Sequence, residues 1–201
     1  MILKDRRNKE KIEMRNHILG TAKEIAAKDG WQNVTIRKIC AQIQYTAPVV
    51  YQYFESKEDI LLVLREEGFN QVLRDFELVI TSDDNAIYQL KKYAKIWWNF
   101  SLENPEIYQV MFNLQGAICP QIDNHINPQS KMILDYYREA FRKINNKAET
   151  SDMIALELCD NFIAIIHGFI ALRLANKIRS GSEREEIVFD NSIQRFIQSI
   201  L

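Results

Sequence analysis

Six glycines and four prolines are all the backbone punctuation this 201-residue chain carries. That is under half of average usage, and sandwiches, barrels and collagen-like chains need far more. The pattern fits long helices with few joints. A hydrophobic share of 47% and an aromatic share of 10% supply a core that a disordered chain lacks. Cys40, Cys119 and Cys159 are odd in number and widely spaced. They form no disulfide framework and no CxxC pair, which points to a reducing compartment. Cys119 precedes Pro120 in a loop and reads as an exposed thiol. The charged start lacks the apolar core of a signal peptide. The longest near-apolar run, 162–175, holds His167 and Arg173 and reads as too short to span a bilayer. A cytoplasmic protein with no membrane partner is expected.

Charge is uneven. Residues 1–60 carry 11 basic and 8 acidic side chains, although the whole chain sums to −1. A mildly basic head on an acidic body hints at a polyanion partner. The leader Lys4, Arg6, Arg7, Lys9 and Lys11 is interleaved with Asp5 and Glu10. It reads either as an arm that reaches DNA or as a solvated, partly disordered tail.

Helix-period apolar stripes divide the chain. The first runs from about Lys9 to Lys28 through Ile12, Ile18, Leu19, Ala22 and Ile25, and Gly30 ends it. Thr35 caps a short helix, Ile36 to Gln42. A brief turn leads to Thr46, which caps another, roughly Ala47 to Phe54, with Pro48 in its first turn. Ser56-Lys57-Glu58-Asp59 resembles a capping box opening a long helix into the late seventies. Further helices are expected at about Ala86–Leu102, Glu106–Gln115, 129–146, 150–179 and 184–200. Residues 116–130 form the main loop, with Gly116, Pro120 and Pro128.

Two short threonine-capped helices joined by three or four residues have the spacing of a helix-turn-helix. Such a unit offers first-turn side chains to base edges, here Thr46, Ala47, Pro48 and Val49. Tyr51 and Tyr53 supply hydroxyls for phosphates, and Lys57 clamps the backbone. Thr35 either contacts a phosphate or only caps its helix. Arg37 and Lys38 put positive charge at a helix start, where a nearby polyanion offsets the unfavourable dipole.

Gly30, Thr35-Ile36, Ile39-Cys40, Thr46, Val50-Tyr51, Tyr53-Phe54, Ser56-Lys57-Glu58 and Ile60-Leu61 resemble the DNA-binding domain of TetR-type transcriptional regulators. The resemblance covers about residues 12–62. Gln44 stands where that family often has glycine, and Pro48 where it often has a small residue. Trp97-Trp98, Asn104 to Phe112 and His167-Gly168 resemble the regulatory domain of a subfamily with a recurrent tryptophan and His-Gly. The resemblance implies an all-α chain. An N-terminal three-helix helix-turn-helix domain (9–62) is joined by a long helix to a helical ligand-binding and dimerisation domain (63–201). It also implies a homodimer formed by the last two helices, a double-stranded operator and a small-molecule effector.

For the effector, the candidates are Trp97, Trp98, Tyr108, Met111, Phe112, Tyr137, Phe141, Phe162, Ile166 and His167. Aromatics at helical spacing equally serve as core. His167 is a polar handle for a ligand or a satisfied core histidine. The dimer stripes are Ile165, Phe169, Leu172 and Asn176, then Ile193, Phe196, Ile197 and Ile200; intramolecular packing is their alternative use. No GxSxG, HExxH, Walker loop or GxGxxG is present, and His17, His125 and His167 lie far apart. No enzyme, cofactor or metal site is expected.

Overall fold

The computed structural model describes residues 2–82, 85–119, 127–145 and 152–201. Its α-helices are α1 (Ile2–Asp29), α2 (Ile36–Ile43), α3 (Ala47–Val50), α4 (Lys57–Ser82), α5 (Ala86–Glu103), α6 (Pro105–Met111), α7 (Pro128–Asn145), α8 (Asp152–Leu174) and α9 (Glu185–Ser199). No strand occurs among the described residues. Asp83, Asp84, Pro120 and His125, which the sequence places in joints and loops, lie outside the described residues.

The chain forms two compact units. The first takes the residues up to Gly68 together with the stretch from Glu106 to Cys119. The second takes Phe69–Pro105 and the described residues from Asn127 onward. A single cut between 62 and 63 does not describe this division. Residues 106–119 join the first unit because their apolar side chains enter its core. Ile18, Ala22 and Ile25 of α1, Ile39 and Ile43 of α2, Val50, Phe54, and Ile60 and Leu64 of α4 pack with Val110, Ala117 and Cys119. Trp31, fully buried, donates its indole N–H to the Glu106 carbonyl at 3.1 Å. Gly68 makes the close approach of α6 possible. A Cβ there would meet Met111 Sδ at 2.4 Å and Ile107 Cγ2 at 2.7 Å.

Two expectations are corrected in this unit. The leader is helical from Ile2, which sets aside the partly disordered one of its two alternative readings. Cys119 is buried, not exposed. Its backbone N–H donates to Asn113 Oδ1 at 2.9 Å, which turns the thiol inward, and burial raises its pKa despite the Arg65 guanidinium beside it.

In the second unit, α5, α7, α8 and α9 pack on one another. Its centre is aromatic. Phe76 stacks on Tyr93 at 4.2 Å and meets Trp97 edge-on. Trp97 donates its indole N–H to Tyr137 Oη at 2.7 Å, a buried bond. Burial pushes the Tyr93 phenol up to about 12. Helix α8, at 23 residues, is long and apolar enough by length and composition to cross a membrane, contrary to the reading of 162–175 as too short. The helix extends that run upstream through Met153, Ile154, Ala155 and Leu156. Ala155, Cys159, Phe162, Ile166 and Ile170 recur at helical spacing and are buried inside the unit.

Candidate nucleic-acid interface

Thr35 sits in extended backbone and its hydroxyl accepts from the Lys38 N–H at 3.2 Å, capping α2. Ile39, Cys40 and Ile43 bury the inner face of α2, leaving Thr35 and Arg37 exposed. The turn after α2 passes through Gln44, with φ 60° and ψ 38°. This left-handed conformation favours glycine, so glutamine is strained there. Three residues, Gln44 to Thr46, separate α2 from α3, which starts at Ala47.

Helix α3 is shorter than the expected Ala47–Phe54. Its α-helical part is one turn, and hydrogen-bonded turns continue it, with Tyr51 N–H donating to the Ala47 carbonyl at 3.0 Å and Phe54 N–H to the Val50 carbonyl at 3.1 Å. Thr46 occupies the cap position without a side-chain capping bond, so its hydroxyl makes no capping contact. Val50 and Phe54 anchor the segment in the core. Thr46, Pro48 and Tyr51 are exposed, and Ala47, Val49 and Tyr53 are half-buried. The first unit therefore presents a short, smooth-faced helix with one tyrosine, 54% exposed, at its end.

The start of α4 is built by two bonds to Asp59. Ser56 Oγ accepts from the Asp59 N–H at 3.2 Å, and the Asp59 carboxylate accepts from the Glu55 N–H at 3.1 Å. Lys57 is turned inward. Its ammonium donates to the Trp31 carbonyl at 2.6 Å, and desolvation lowers its pKa while Glu58 acts the other way. It retains two N–H groups beyond that bond. Lys38 pairs with Asp29 at 3.6 Å.

The ten residues expected around an effector do not gather in one unit. Tyr108, Met111 and Phe112 belong to the first, and Tyr108 rests on Phe112 at 4.7 Å. The other seven belong to the second, and the six of them that carry rings pack ring against ring. Phe162 meets Tyr137 at 5.4 Å and Phe141 at 5.7 Å, Ile166 is buried, and Trp98 stacks on Phe189 at 4.7 Å. His167 lies edge-on to Trp97 at 5.0 Å, and burial lowers its pKa to about 3, so it is neutral at physiological pH. Ile193 and Ile197 of the expected dimer stripe on α9 are buried within the unit, and Phe196 meets Phe141 and Phe162.

A hollow of about 400 Å³ opens between α5 and α9, lined by Lys91, Lys92, Lys95, Asp190 and Gln194 over Ala94 and Ile193. Lys95 bridges Glu186 and Asp190 there. Sequence reasoning passes over these residues because charged positions at helical spacing look like an ordinary solvated face.

Residues 18–64 match the family described as bacterial regulatory proteins, tetR family. Residues 90–196 match the tetracyclin repressor-like C-terminal domain. A curated relative, an uncharacterized HTH-type transcriptional regulator of Haemophilus influenzae, is 24% identical over 124 residues, covering 57% of this chain. The match spans 64% of that relative's length. The fold is shared with the regulator FadR of Bacillus subtilis, solved in complex with stearoyl-CoA, at TM-score 0.73 and 19% identity over 92% of this chain and 98% of that one. It is shared also with a TetR/AcrR-family regulator of Thermobifida fusca, at TM-score 0.67 and 16% identity over 92% and 97%. A helix-turn-helix head, followed by a helical domain matched over most of its length, identifies the chain as a member of the tetR family of transcriptional regulators, which are not enzymes.

Proposed function

We propose that the protein is a ligand-responsive repressor that binds a palindromic operator as a homodimer and is released by a small apolar effector. The observation that carries this reading is the exposed row Thr46, Pro48 and Tyr51 on a segment whose back, Val50 and Phe54, is sealed in the core. In a symmetric dimer two such segments enter successive major grooves about 34–36 Å apart, or a multiple of that spacing. Thr46, Ala47, Pro48 and Val49 meet base edges, and Thr35, Arg37, Tyr51, Tyr53 and Lys57 hold phosphates.

Dimerisation through α8 and α9 is supported by apolar side chains that the chain leaves uncovered. Met153 and Leu172 of α8 are 69% and 52% exposed, and Ile187 of α9 is 53% exposed. A second copy that covers them removes that surface from water. An apolar effector enters by parting the ring contacts that α5, α7 and α8 make with one another. The stearoyl-CoA bound by the Bacillus subtilis regulator carries an apolar acyl chain beside its charged head, so a regulator of this fold accommodates apolar ligand surface. Such an effector acts only by binding the DNA-incompetent state better.

Selection of bound sequences from a random duplex pool tests the reading, run on the wild type and on Tyr51→Ala. The expected result is a palindromic motif enriched by the wild type alone. A folded wild type that enriches no sequence more strongly than Tyr51→Ala does sinks the proposal. On the enriched duplex, Lys57→Ala should flatten the dependence of log affinity on log salt by about one.

A further inference from the structure

Residues 6–13 of α1 stand clear of the core. Side chains 6–13 are all exposed, and the first buried residue of the helix is Ile18. Helices draw most of their stability from packing an apolar face, and this stretch packs none. Its charges are arranged unequally. Arg6 bonds Glu10 at 2.9 Å and Lys9 pairs with Glu13 at 3.8 Å. These two cations are compensated within the helix. Arg7, Lys11 and Arg15 stand at i, i+4 and i+8 and so form one row. None of the three has an ion-pair partner among the described residues.

The row also has a fixed starting point. The Arg15 guanidinium lies 4.7 Å above the Phe54 ring, directly after the reading turn of Tyr51 and Tyr53. From Arg15 to Arg7 the helix rises about 12 Å. A DNA strand offers one phosphate for about every 3.4 Å of axis, so a row of this length faces roughly three.

We infer that Arg7, Lys11 and Arg15 form a second phosphate-binding surface, one that follows the DNA backbone flanking the segment read by α3. It rests on the DNA-binding reading above and extends the interface to a part of α1 that holds none of the nine residues assigned there. The compensated side of the same helix, Arg6 and Lys9, faces away from this role.

The test compares R7Q/K11Q with R6Q/K9Q. Both remove two positive charges at exposed positions and both keep a good helix former. Affinity is measured against salt on the duplex enriched by the wild type, with flanks of a full helical turn. R7Q/K11Q is expected to reduce the slope of log affinity on log salt by about 1.8, at about 0.9 per phosphate, and R6Q/K9Q by clearly less. Trimming the flanks should flatten the wild-type slope and leave that of R7Q/K11Q unchanged. Equal losses in the two double variants would mean that net charge alone acts, which overturns the inference. An unchanged slope in R7Q/K11Q overturns it while leaving the operator reading intact. If the wild type binds no duplex in a salt-dependent way, both readings fall together.

Discussion

The two units use their distinctive residues in opposite ways. In the first, the residues that mark the chain's class are caps and outward side chains: Thr35, Tyr51, Ser56. Each is recognisable because local geometry demands it. In the second, the distinctive residues are Phe76, Tyr93, Trp97, Tyr137 and Phe162, and they face one another. Their roles depend on which ring meets which. A motif made of local geometry can be read along the chain, and a motif made of packing cannot.

The largest expected effect tests whether residues 106–119 belong to the reading unit. Gly68→Leu places a side chain where Met111 and Ile107 already stand. Overpacking of this kind costs about 1–3 kcal/mol, and denaturant unfolding should show a loss near the upper end. A neutral outcome would mean that α6 is not seated against α4 as described. Next is Tyr137→Phe, which keeps the ring and removes the acceptor of the Trp97 indole N–H. A buried donor left without its partner costs roughly 1–3 kcal/mol. A Tm loss on Tyr137→Phe that shrinks when it is made in a Trp97→Phe background would assign the loss to that bond.

A third expectation concerns pH. His167 titrates at about 3 in the folded chain, below its ordinary value of 6.5. Between those values the unfolded chain binds a proton that the folded one does not. Stability contributed by the neutral imidazole is therefore complete above pH 6.5 and declines as pH falls toward 3. His167→Phe should flatten that part of the stability profile in pH-resolved thermal melts. If the profiles of the wild type and His167→Phe stay parallel, His167 is not the neutral group described. The smallest effect is Gln44→Gly. It relieves a left-handed residue but loosens the unfolded chain, so a gain under about 1 kcal/mol is expected. A loss would mean that the glutamine side chain contributes something the backbone geometry does not show.

The helix boundaries are mostly legible in the sequence. Expected starts at Ile36, Ala47 and Ala86 coincide with the observed ones, because Thr35, Thr46 and the polar joint before Ala86 interrupt the apolar period. The end of α3 comes at Val50 rather than Phe54, since an apolar period cannot distinguish an α-helix from the turns that continue it. Lys57 reads as a phosphate clamp from its position in the signature. Its inward bond to the Trp31 carbonyl joins residues 26 apart in sequence, a pairing no local pattern records. The leader's helix escapes the sequence reading for a related reason. Its i, i+4 ion pairs are weak signals, and charge alternation also describes a solvated tail.

What the sequence determined by itself is the all-helical class and the helix-turn-helix. Those follow from glycine and proline scarcity, capping chemistry and helical periodicity, all of which act over a few residues. What only the tertiary structure decided is which apolar side chains meet. It took 106–119 into the first unit, turned Cys119 inward and closed the aromatic cluster around Trp97 and Tyr137. Hydrophobic burial is non-directional, so a periodic stripe states that a face will be covered without stating by what. The partner is chosen by shape at contact, as where Gly68 leaves room for Met111.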